Sequence, residues 1–299
     1  SYLMSERVVM SESVVLGVIG GSGLYQMEGA ATVAEHALDT PYGKPSDVIV
    51  EADIGGRAVY FLPRHGKGHK LLPCEVPARA NIHAFKQLGV THVLAVSACG
   101  IMREEIKPGD MVVPDQIFDR TRGQRPSTFF GEGVVGHLPF ADPFCEELRE
   151  IIIGAGQEAG ANLHAGGTYI CMEGPLFSTR AESNFYRKAV DASVIGMTAL
   201  PEAKLAREAE LCYAMLAMGT DYDCWHEEEE DVTIDQILAV MKANSALANR
   251  IVAEVSARLP AESDCACLSA AQYAIVTDRA LIADEAKDRL RALYGKYLD

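Results

Sequence analysis

The hydrophobic pattern of the chain alternates between short apolar runs and longer amphipathic segments. Apolar runs that are rich in β-branched residues and end at turn residues predict strands. These runs are 14–19, 48–50, 57–62, 92–96, 111–114, 167–172, 193–195 and 212–218. Segments with apolar residues every three or four positions predict helices. These segments are 76–88, 144–159, 179–188, 202–210 and 233–259.

The order of these elements indicates the fold class. Strands and helices alternate, and several strands are apolar on both faces, which is typical of an α/β protein with a covered central sheet. We therefore predict a single-domain three-layer sandwich with a central mixed β-sheet over residues 14–259. Residues 1–13 are predicted to be poorly structured, and residues 260–299 to form a C-terminal helical appendage with helices over 268–274 and 284–297. In such folds the functional residues follow the carboxyl ends of strands.

The charge balance restricts the partners of the protein. The chain of 299 residues has 42 acidic and 27 basic residues, a formal net charge of −15. Nucleic acids and anionic membranes bind basic surfaces, so both are excluded as partners. No apolar run reaches the roughly 18 to 20 residues that span a bilayer, and the N-terminus lacks the pattern of a signal peptide. We therefore expect a cytoplasmic protein, in which an anionic substrate would need a local basic site.

The cysteines do not follow a metal-binding pattern. There are eight, none of them in a Cys-x-x-Cys pair, and Cys265 and Cys267 are two positions apart. Without an export signal, such thiols are expected to be mostly reduced. This spacing gives poor support for a structural zinc site, so no metal site is predicted.

The loop Gly20–Gly23 follows the first predicted strand and is glycine-rich. It does not match the dinucleotide fingerprint, because Gln26 stands where the third glycine is required. It does not match the nucleophile elbow either, because Leu24 stands where that motif has glycine. The loop amides and the Ser22 hydroxyl remain candidates for holding an anion, and a plain tight turn is the alternative.

Two further loops after strands add a cation and small residues. Arg64 offers a planar fork for phosphate oxygens and His65 a second donor, although a surface basic cluster has the same pattern. The segment Ser97–Gly100 lets a ligand approach the backbone, and Cys99 within it is either a nucleophile or an inert buried thiol. The three loops together favour a phosphate site more strongly than any one of them.

Later segments carry candidates for binding a flat ring. Phe177 either lies over a ring or packs in the core, and Met197 either fills a gap or supports a sugar. Asp221 and Asp223 end the strong strand 212–218, where two carboxylates can hold one proton between them or bracket a heterocycle. The alternative for this pair is a solvated turn.

Taken in order, the motifs of the chain form a specific signature. They are GGSGL (20–24), PRHG (63–66), SACG followed by REEIKPGD (97–110), EGPLFSTRAES (173–183), GMT (196–198) and TDYDCW (220–225). Over residues from about 15 to about 259, the chain resembles the trimeric purine nucleoside phosphorylases, and within them the 5′-methylthioadenosine phosphorylases. Leu176 departs from the arginine that is common in the fourth motif.

The resemblance implies reversible phosphorolysis without a cofactor, in which phosphate attacks C1′ of a nucleoside and a purine leaves. The positions that match phosphate ligands are Ser22, Arg64, His65, Ser97, the Ala98 amide and Thr198. The positions that match nucleoside contacts are His137, Phe177, Ser178, Met197, Ile234, Ile237 and Leu238. In the family, the segment around His137 reaches a neighbouring subunit's site, so the resemblance implies a homotrimer or a dimer of trimers.

The resemblance also gives roles to the aspartates. Asp221 is the candidate general acid that protonates N7 of the leaving purine, which needs a pKa raised by burial and by a neighbouring like charge. Asp223, as a carboxylate, would accept a hydrogen bond from an exocyclic amino group and so favour 6-aminopurines. The aliphatic residues at 234, 237 and 238 suit a methylthio group at the 5′ position, although core packing explains an apolar helix face equally well.

The expected substrate is therefore 5′-methylthioadenosine. A purine nucleoside phosphorylase of broader specificity, acting on adenosine, inosine or guanosine, is the alternative within the same class. A regulatory protein that binds an anion without turnover is the alternative from another class. A dinucleotide-dependent oxidoreductase is disfavoured by Gln26.

The cysteines leave a redox alternative open. Cys265 and Cys267 resemble a C-terminal Cys-x-Cys of some thermophilic relatives, and Cys145 and Cys212 stand at positions that are free thiols in cytosolic members. Either pair could form a disulfide, and we expect the reduced form.

Overall fold

A long mixed β-sheet occupies the centre of the molecule. The computed structural model describes residues 11–21, 24, 30–226 and 234–298. Its strands are β1 (Glu12–Ser13), β2 (Leu16–Gly20), β3 (Ala31–His36), β4 (Ile49–Ile54), β5 (Arg57–Pro63), β6 (His92–Ile101), β7 (Met111–Val113), β8 (Gln116–Arg120), β9 (Leu163–Ala165), β10 (Thr168–Met172), β11 (Ala192–Gly196), β12 (Cys212–Asp221) and β13 (Glu262–Ser263). Its α-helices are α1 (Ala78–Gln87), α2 (Glu146–Glu158), α3 (Arg180–Phe185), α4 (Ala199–Glu208), α5 (Ile234–Arg258) and α6 (Asp284–Leu298).

Strands β2 to β12 form one sheet with a branch at β6. The main path runs β3-β4-β5-β2-β6-β11-β10-β8, while β12 pairs with β6 and β7, and β7 pairs with β9. The strands β5, β2, β6 and β12 are parallel neighbours. β11 joins β6 in antiparallel pairing through Gly100 and Ile101. Because these central strands are parallel, their carboxyl ends meet at one edge of the sheet.

Helices cover both faces of the sheet. Successive residues of β6 alternate between two hydrophobic clusters, with Val93 and Ala95 in one and Leu94 and Val96 in the other. Since successive side chains of a strand point to opposite faces, the two clusters are the two faces of the sheet. Buried residues of α1, α4 and α6 belong to the first cluster, and those of α2 and α5 to the second. The predicted three-layer α/β sandwich with a mixed sheet is confirmed.

The strands missed by the sequence pattern have little buried surface. β3 and β8 stand at the two ends of the main path, and most of their residues are exposed or half-buried. An edge strand without a buried face has no run of apolar residues to mark it. β9 is only three residues long. By contrast, β6 and β12 are longer than predicted, so that Ser97, Ala98 and Asp221 lie within strands.

The C-terminal appendage differs from the prediction in its first half. The predicted helix over 268–274 is wrong, because a single 3₁₀ turn at Ala266–Ser269 is followed by irregular turns. Leu268, Ala271 and Ala274 are buried there, which explains the apolar spacing that suggested a helix. The predicted second helix is confirmed as α6.

The first described residues and the C-terminal helix both contact the rest of the molecule, while residues 1–10 of the predicted irregular N-terminus lie outside the described residues. Glu12 and Ser13 are not irregular, because they pair with Ser263 and Glu262 in a small antiparallel sheet. Apolar residues of α6, among them Leu290 and Tyr294, belong to the same cluster as α1 and α4. Among the helices of the described ranges, none combines the length and the apolar character that crossing a membrane requires.

Candidate active site

Side chains at the carboxyl ends of the parallel strands converge, as predicted for this fold class. Gly20 of β2 pairs with Pro63 of β5, and Ala98 of β6 pairs with Met218 of β12. The loops that follow β2 and β5 and the last residues of β6 and β12 therefore meet at one edge. Ser22, a predicted phosphate ligand, lies outside the described residues.

Arg64 is held in place by a buried carboxylate. Its side chain is 3% exposed, and its Nε and Nη2 donate to the two carboxylate oxygens of Glu202, the latter over 3.1 Å. Nη1 donates to the Val96 carbonyl and Nη2 to the Ile19 carbonyl, both over 3.3 Å. The Tyr213 hydroxyl donates to the same Glu202 over 3.0 Å. The guanidinium group is thus fixed by carbonyls of two strands, β2 and β6, and by Glu202 of helix α4.

Four of the predicted site residues line one cavity. They are Arg64, His65, Met197 and Thr198. Arg125, which the sequence pattern did not single out, lines the same cavity. This cavity confirms that the segments after β5 and β11 come together.

His65 has a defined tautomer and a lowered pKa. Its Nδ1 lies 2.8 Å from the Leu71 carbonyl, which can only accept, so Nδ1 carries the proton. Burial, with a further contribution from the Arg64 charge, lowers the pKa of His65 to about 4. The ring is therefore neutral at neutral pH, and its Nε2 is an acceptor. The role of His65 as a phosphate ligand stays a prediction.

Hydroxyl groups assemble at the ends of β6 and β11. Thr198 Oγ1 donates to Ser97 Oγ over 3.0 Å, and the Thr198 N–H donates to the hydroxyl of buried Tyr169 over 3.2 Å. A Cβ at Gly196 would lie 2.2 Å from the Tyr169 oxygen, so only glycine permits this approach. Ser97 and Thr198 are thereby brought together from segments 101 residues apart.

Arg125 braces the segments around the cavity. Its Nε donates to Glu173 Oε1, and its Nη1 donates to the carbonyls of Met197 and Leu200, each over 2.7 Å. Both Arg125 and Glu173 are buried. The cavity therefore presents two arginines that each face a buried glutamate. The cavity thus has the cations of the local basic site expected from the sequence, but the two buried glutamates offset most of their positive charge.

The two aspartates lie side by side at the end of β12. Asp221 Oδ1 accepts from the Thr220 hydroxyl over 2.6 Å, and its Oδ2 accepts from the Asp223 N–H over 3.1 Å. Asp223 has a left-handed backbone with φ of +54°, a conformation that aspartate adopts more readily than most residues other than glycine. The Ser183 hydroxyl donates to Asp223 Oδ2 over 2.7 Å. Both carboxyl groups are thus held by specific hydrogen bonds.

The carboxylates face the end of β6. A Cβ at Gly100 would lie 3.5 Å from Asp223 Cβ and 3.7 Å from Asp221 Oδ2. Burial raises the pKa of both carboxyl groups above the ordinary value for aspartate, and the neighbouring Asp221 raises that of Asp223 further. At Asp221 burial alone raises the pKa, so the expected effect of a neighbouring like charge is found only at Asp223. The alternative of a solvated turn is excluded.

The family of the chain follows from comparison with known proteins. Residues 15–257 match the family model of the phosphorylase superfamily. The chain belongs to the phosphorylase superfamily.

Curated relatives of this phosphorylase share one name. An S-methyl-5′-thioadenosine phosphorylase of Geobacter sulfurreducens is 56% identical over 284 residues, which cover 95% of this chain and 99% of that protein. An S-methyl-5′-thioadenosine phosphorylase of Hyperthermus butylicus is 50% identical, with 87% of this chain and 95% of that protein covered.

Solved structures resemble the phosphorylase over most of its length. A methylthioadenosine phosphorylase from an Antarctic soil metagenomic library superposes with a TM-score of 0.87 at 46% identity, covering 94% of this chain and 99% of that one. The methylthioadenosine phosphorylase of Schistosoma mansoni in complex with adenine gives a TM-score of 0.81 at 41% identity, covering 87% and 96%.

In the phosphorylase, the segment after β10 packs against Met197, whereas Phe177 within that segment is exposed. Gly174 has φ of +69°, and a Cβ there would lie 2.4 Å from Met197 Sδ, so glycine lets the loop close over this methionine. Phe177 is 58% exposed, so the core-packing alternative is excluded. Ser178 is half-buried, and its hydroxyl donates to Met172 Sδ over 3.5 Å.

The predicted 5′-pocket residues lie at the start of α5. Ile234 and Leu238 are 68% and 54% exposed, which argues against core packing for both. The side chain of Ile237 lies outside the described residues. His137 is exposed, and its backbone N–H donates to the Ala274 carbonyl in the C-terminal appendage. Ile234, Leu238 and His137 thus lie at the surface, and their contacts with the nucleoside stay predictions.

The sequence pattern missed the residues that hold the others in place. Glu202, Arg125 and Ser183 stand 138, 48 and 40 residues from the carboxylates or cations that they bind. No local spacing marks such pairs. Glu173 and Ser183 lie within the motif EGPLFSTRAES, which is the sign of their role that the sequence offers.

Proposed function

We propose that this phosphorylase cleaves the N-glycosidic bond of 5′-methylthioadenosine with inorganic phosphate, giving adenine and 5-methylthioribose 1-phosphate. The observation that carries the proposal is the half-buried pair Asp221 and Asp223, which faces Gly100 near the end of β6. This arrangement puts a proton-holding carboxyl group beside the strand end that carries Ser97. The curated relatives have the corresponding activity in their names.

Phosphate binds in the cavity lined by Arg64 and Thr198. Arg64 is fully buried and fixed by Glu202, so its guanidinium group is oriented before phosphate arrives. Ser97 and Thr198 add hydroxyl donors, and the Ala98 amide and Ser22 complete the set that the family resemblance implies. Because Glu202 offsets the charge of Arg64, we expect binding to depend on directed hydrogen bonds more than on net charge.

The purine is recognised by the two aspartates. Burial raises the pKa of Asp221, so this side chain holds a proton to a higher pH than an exposed aspartate does. It gives that proton to N7 of the purine. Asp223 accepts a hydrogen bond from the 6-amino group while Ser183 fixes its Oδ2. A 6-oxo group is itself an acceptor, so it would face the Asp223 carboxylate without forming a hydrogen bond.

The reaction balances without a cofactor. A phosphate oxygen forms a bond to C1′ as the bond between C1′ and N9 breaks, and the electron pair of the broken bond goes to the purine. The proton from Asp221 neutralises the leaving base. Met197 and Phe177 contact the ribose and base, and Ile234, Ile237 and Leu238 receive the methylthio group. Positioning phosphate beside the positive charge that develops on the sugar supplies much of the rate enhancement.

We also propose that the enzyme works in the cytoplasm as a homotrimer or a dimer of trimers. The support is a set of apolar side chains that are exposed in a single chain, including Leu176 at 81%, together with Phe177 and Ile234. Light scattering of the purified protein should give the mass of three or six chains. The mass of one chain contradicts this assembly.

The substrate is tested by following base release from 5′-methylthioadenosine, adenosine and inosine, each with and without phosphate. We expect adenine from methylthioadenosine only when phosphate is present, and a low rate with inosine. The Asp223→Asn variant should move the preference toward inosine, because an amide can donate to a 6-oxo group. Base release from none of the nucleosides overturns the proposal, and a preference of the unchanged enzyme for inosine overturns the role of Asp223.

A further inference from the structure

Four cysteines from separate parts of the chain meet on the second face of the sheet. They are Cys145, Cys212, Cys265 and Cys267, and their Sγ atoms all lie within 4.8 Å of one another. Three of the side chains are buried, and that of Cys267 is half-buried. We call this group the thiol cluster.

The thiol cluster draws on three segments. Cys145 is the N-cap residue of α2, Cys212 is the first residue of β12, and Cys265 and Cys267 lie in the turn after β13. The Cys145 N–H donates to the carbonyl of Tyr213 over 2.8 Å, which fixes α2 against β12. The Cys265 N–H donates to Ser263 Oγ over 3.2 Å. Each thiol is thus presented from backbone that is held by its own bonds.

The sulfur atoms have the spacing of a tetrahedral metal site. In zinc sites the Zn–S distance is about 2.3 Å, which puts the corners of the tetrahedron about 3.8 Å apart. The Sγ atoms of Cys145 and Cys265 are 3.7 Å apart. No disulfide joins any of the eight cysteines, all of which lie in the described ranges. Four thiols at this spacing supply every ligand of a closed structural site.

We propose that the thiol cluster binds one zinc ion through four thiolates. Thiolates are soft donors that select zinc over magnesium or calcium, which prefer oxygen ligands. The N-terminus of the 13-residue helix α2 adds a partial positive charge beside Cys145, where the site gains negative charge. Burial keeps water from competing for the metal.

The role of this site is structural. Cys212 and Asp221 stand at opposite ends of β12, and nine residue steps of a strand span about 30 Å. The metal is therefore far from the proposed chemistry. It links α2 and β12 of the main sandwich to the first segment of the C-terminal appendage.

The prediction that the chain has no metal site rested on the lack of a Cys-x-x-Cys pair. The thiol cluster combines one Cys-x-Cys with two single cysteines that are 67 residues apart in the numbering. Spacing in the sequence does not detect such a set, because the fold and not the local chain brings its members together.

The test measures metal and thiols in the same preparation. The full chain is expressed in zinc-supplemented medium, purified with a thiol reductant and freed of loose metal on a chelating resin. Mass spectrometry of the metals should give about one zinc per chain, and titration after unfolding with chelator should give all eight thiols. The Cys267→Ser variant should lose the zinc, while Cys74→Ser, which removes a cysteine outside the thiol cluster, should keep it.

A second measurement does not depend on a variant that folds. Cobalt loaded into the unchanged protein should show the intense sulfur-to-metal charge-transfer absorption of four thiolates. X-ray absorption of the zinc form should show four sulfur neighbours at about 2.3 Å. The proposal is overturned if the chain contains no zinc and two disulfides within the cluster. Zinc retained equally by Cys267→Ser also overturns it.

Discussion

At the scale of single residues, the site depends on groups whose protonation differs from that in water. Asp221 and Asp223 lie side by side and are half-buried, and partial burial raises the pKa of each carboxyl group. Burial lowers the pKa of His65 to about 4. A carboxyl group with a raised pKa and a histidine with a lowered pKa suit a reaction in which a dianion binds and a base must be protonated.

Replacing Asp221 with asparagine removes the proposed proton donor and keeps a similar shape. We expect turnover of methylthioadenosine to fall by about 10²–10⁴-fold, the usual contribution of a general acid. The KM for phosphate should change little, because Arg64 and Thr198 are untouched. Steady-state kinetics with both substrates varied provides the test. Equal losses in turnover and in phosphate affinity would refute the role of Asp221.

His65 is expected to take up a proton when phosphate binds. Its pKa is about 4 in the free protein, and a dianion beside it favours the charged ring, so its pKa rises toward neutrality. Calorimetry of phosphate binding in two buffers of different ionisation enthalpy measures the uptake. The difference between the unchanged protein and His65→Gln isolates this group from the titration of phosphate itself. Identical uptake in both proteins would contradict the expectation.

At the scale of elements, the short helix α3 holds Asp223, one of the two aspartates proposed to bind the purine. Thr179 caps this helix in a capping box with Glu182, and Ser183 follows in the first turn with its hydroxyl on Asp223. The predicted helix 179–188 is confirmed in its first part and continues as a π-helical turn at Tyr186–Val190. Its threonine and glutamate were visible in the sequence, but the contact of Ser183 with Asp223 was not, because it joins separate elements.

Removal of the cap should therefore affect substrate binding as well as stability. We expect Thr179→Ala to lower the free energy of unfolding by about 1 kcal/mol, the usual cost of a lost cap. It should raise the KM for the nucleoside more than the KM for phosphate, since Ser183 acts on the purine side. Thr40→Ala is a matched control, because the Thr40 hydroxyl bonds within its own turn. If both variants change the nucleoside KM alike, α3 does not have this role.

At the scale of the whole molecule, the parallel strands explain what the sequence could predict. Arg64 directly follows the apolar strand β5, Asp221 ends β12, and Ser97 lies in the second half of β6, so the strand pattern and the rule for α/β sheets indicate a common edge. No strand pattern identifies Glu202 or Arg125 in the sequence, since the residues that they bind lie in elements far away along the chain. The sequence therefore predicts the groups that face the ligand better than the groups that hold them.

The half-buried Asp223 carboxyl group should also lower the stability of the folded protein as pH rises. The pKa of Asp223 is raised in the folded protein, so the folded state binds this proton more tightly than the unfolded state does. Its contribution to stability is thus lost as pH rises from the ordinary aspartate value through the raised one. We expect Asp223→Asn to raise the unfolding midpoint relative to the unchanged protein more at neutral pH than in acid. Thermal denaturation gives the unfolding midpoints of both proteins. A difference between these midpoints that is constant with pH would show that folding does not raise the pKa of Asp223.

The central claim is that the bond to the purine is broken by phosphate and not by water. Phosphorus NMR of the enzyme with methylthioadenosine and inorganic phosphate measures this directly, with adenine followed in the same sample. We predict a new sugar 1-phosphate signal that grows in equal amount with adenine, and no adenine when phosphate is left out. Adenine formed without a sugar phosphate, at a rate independent of phosphate, would contradict the account.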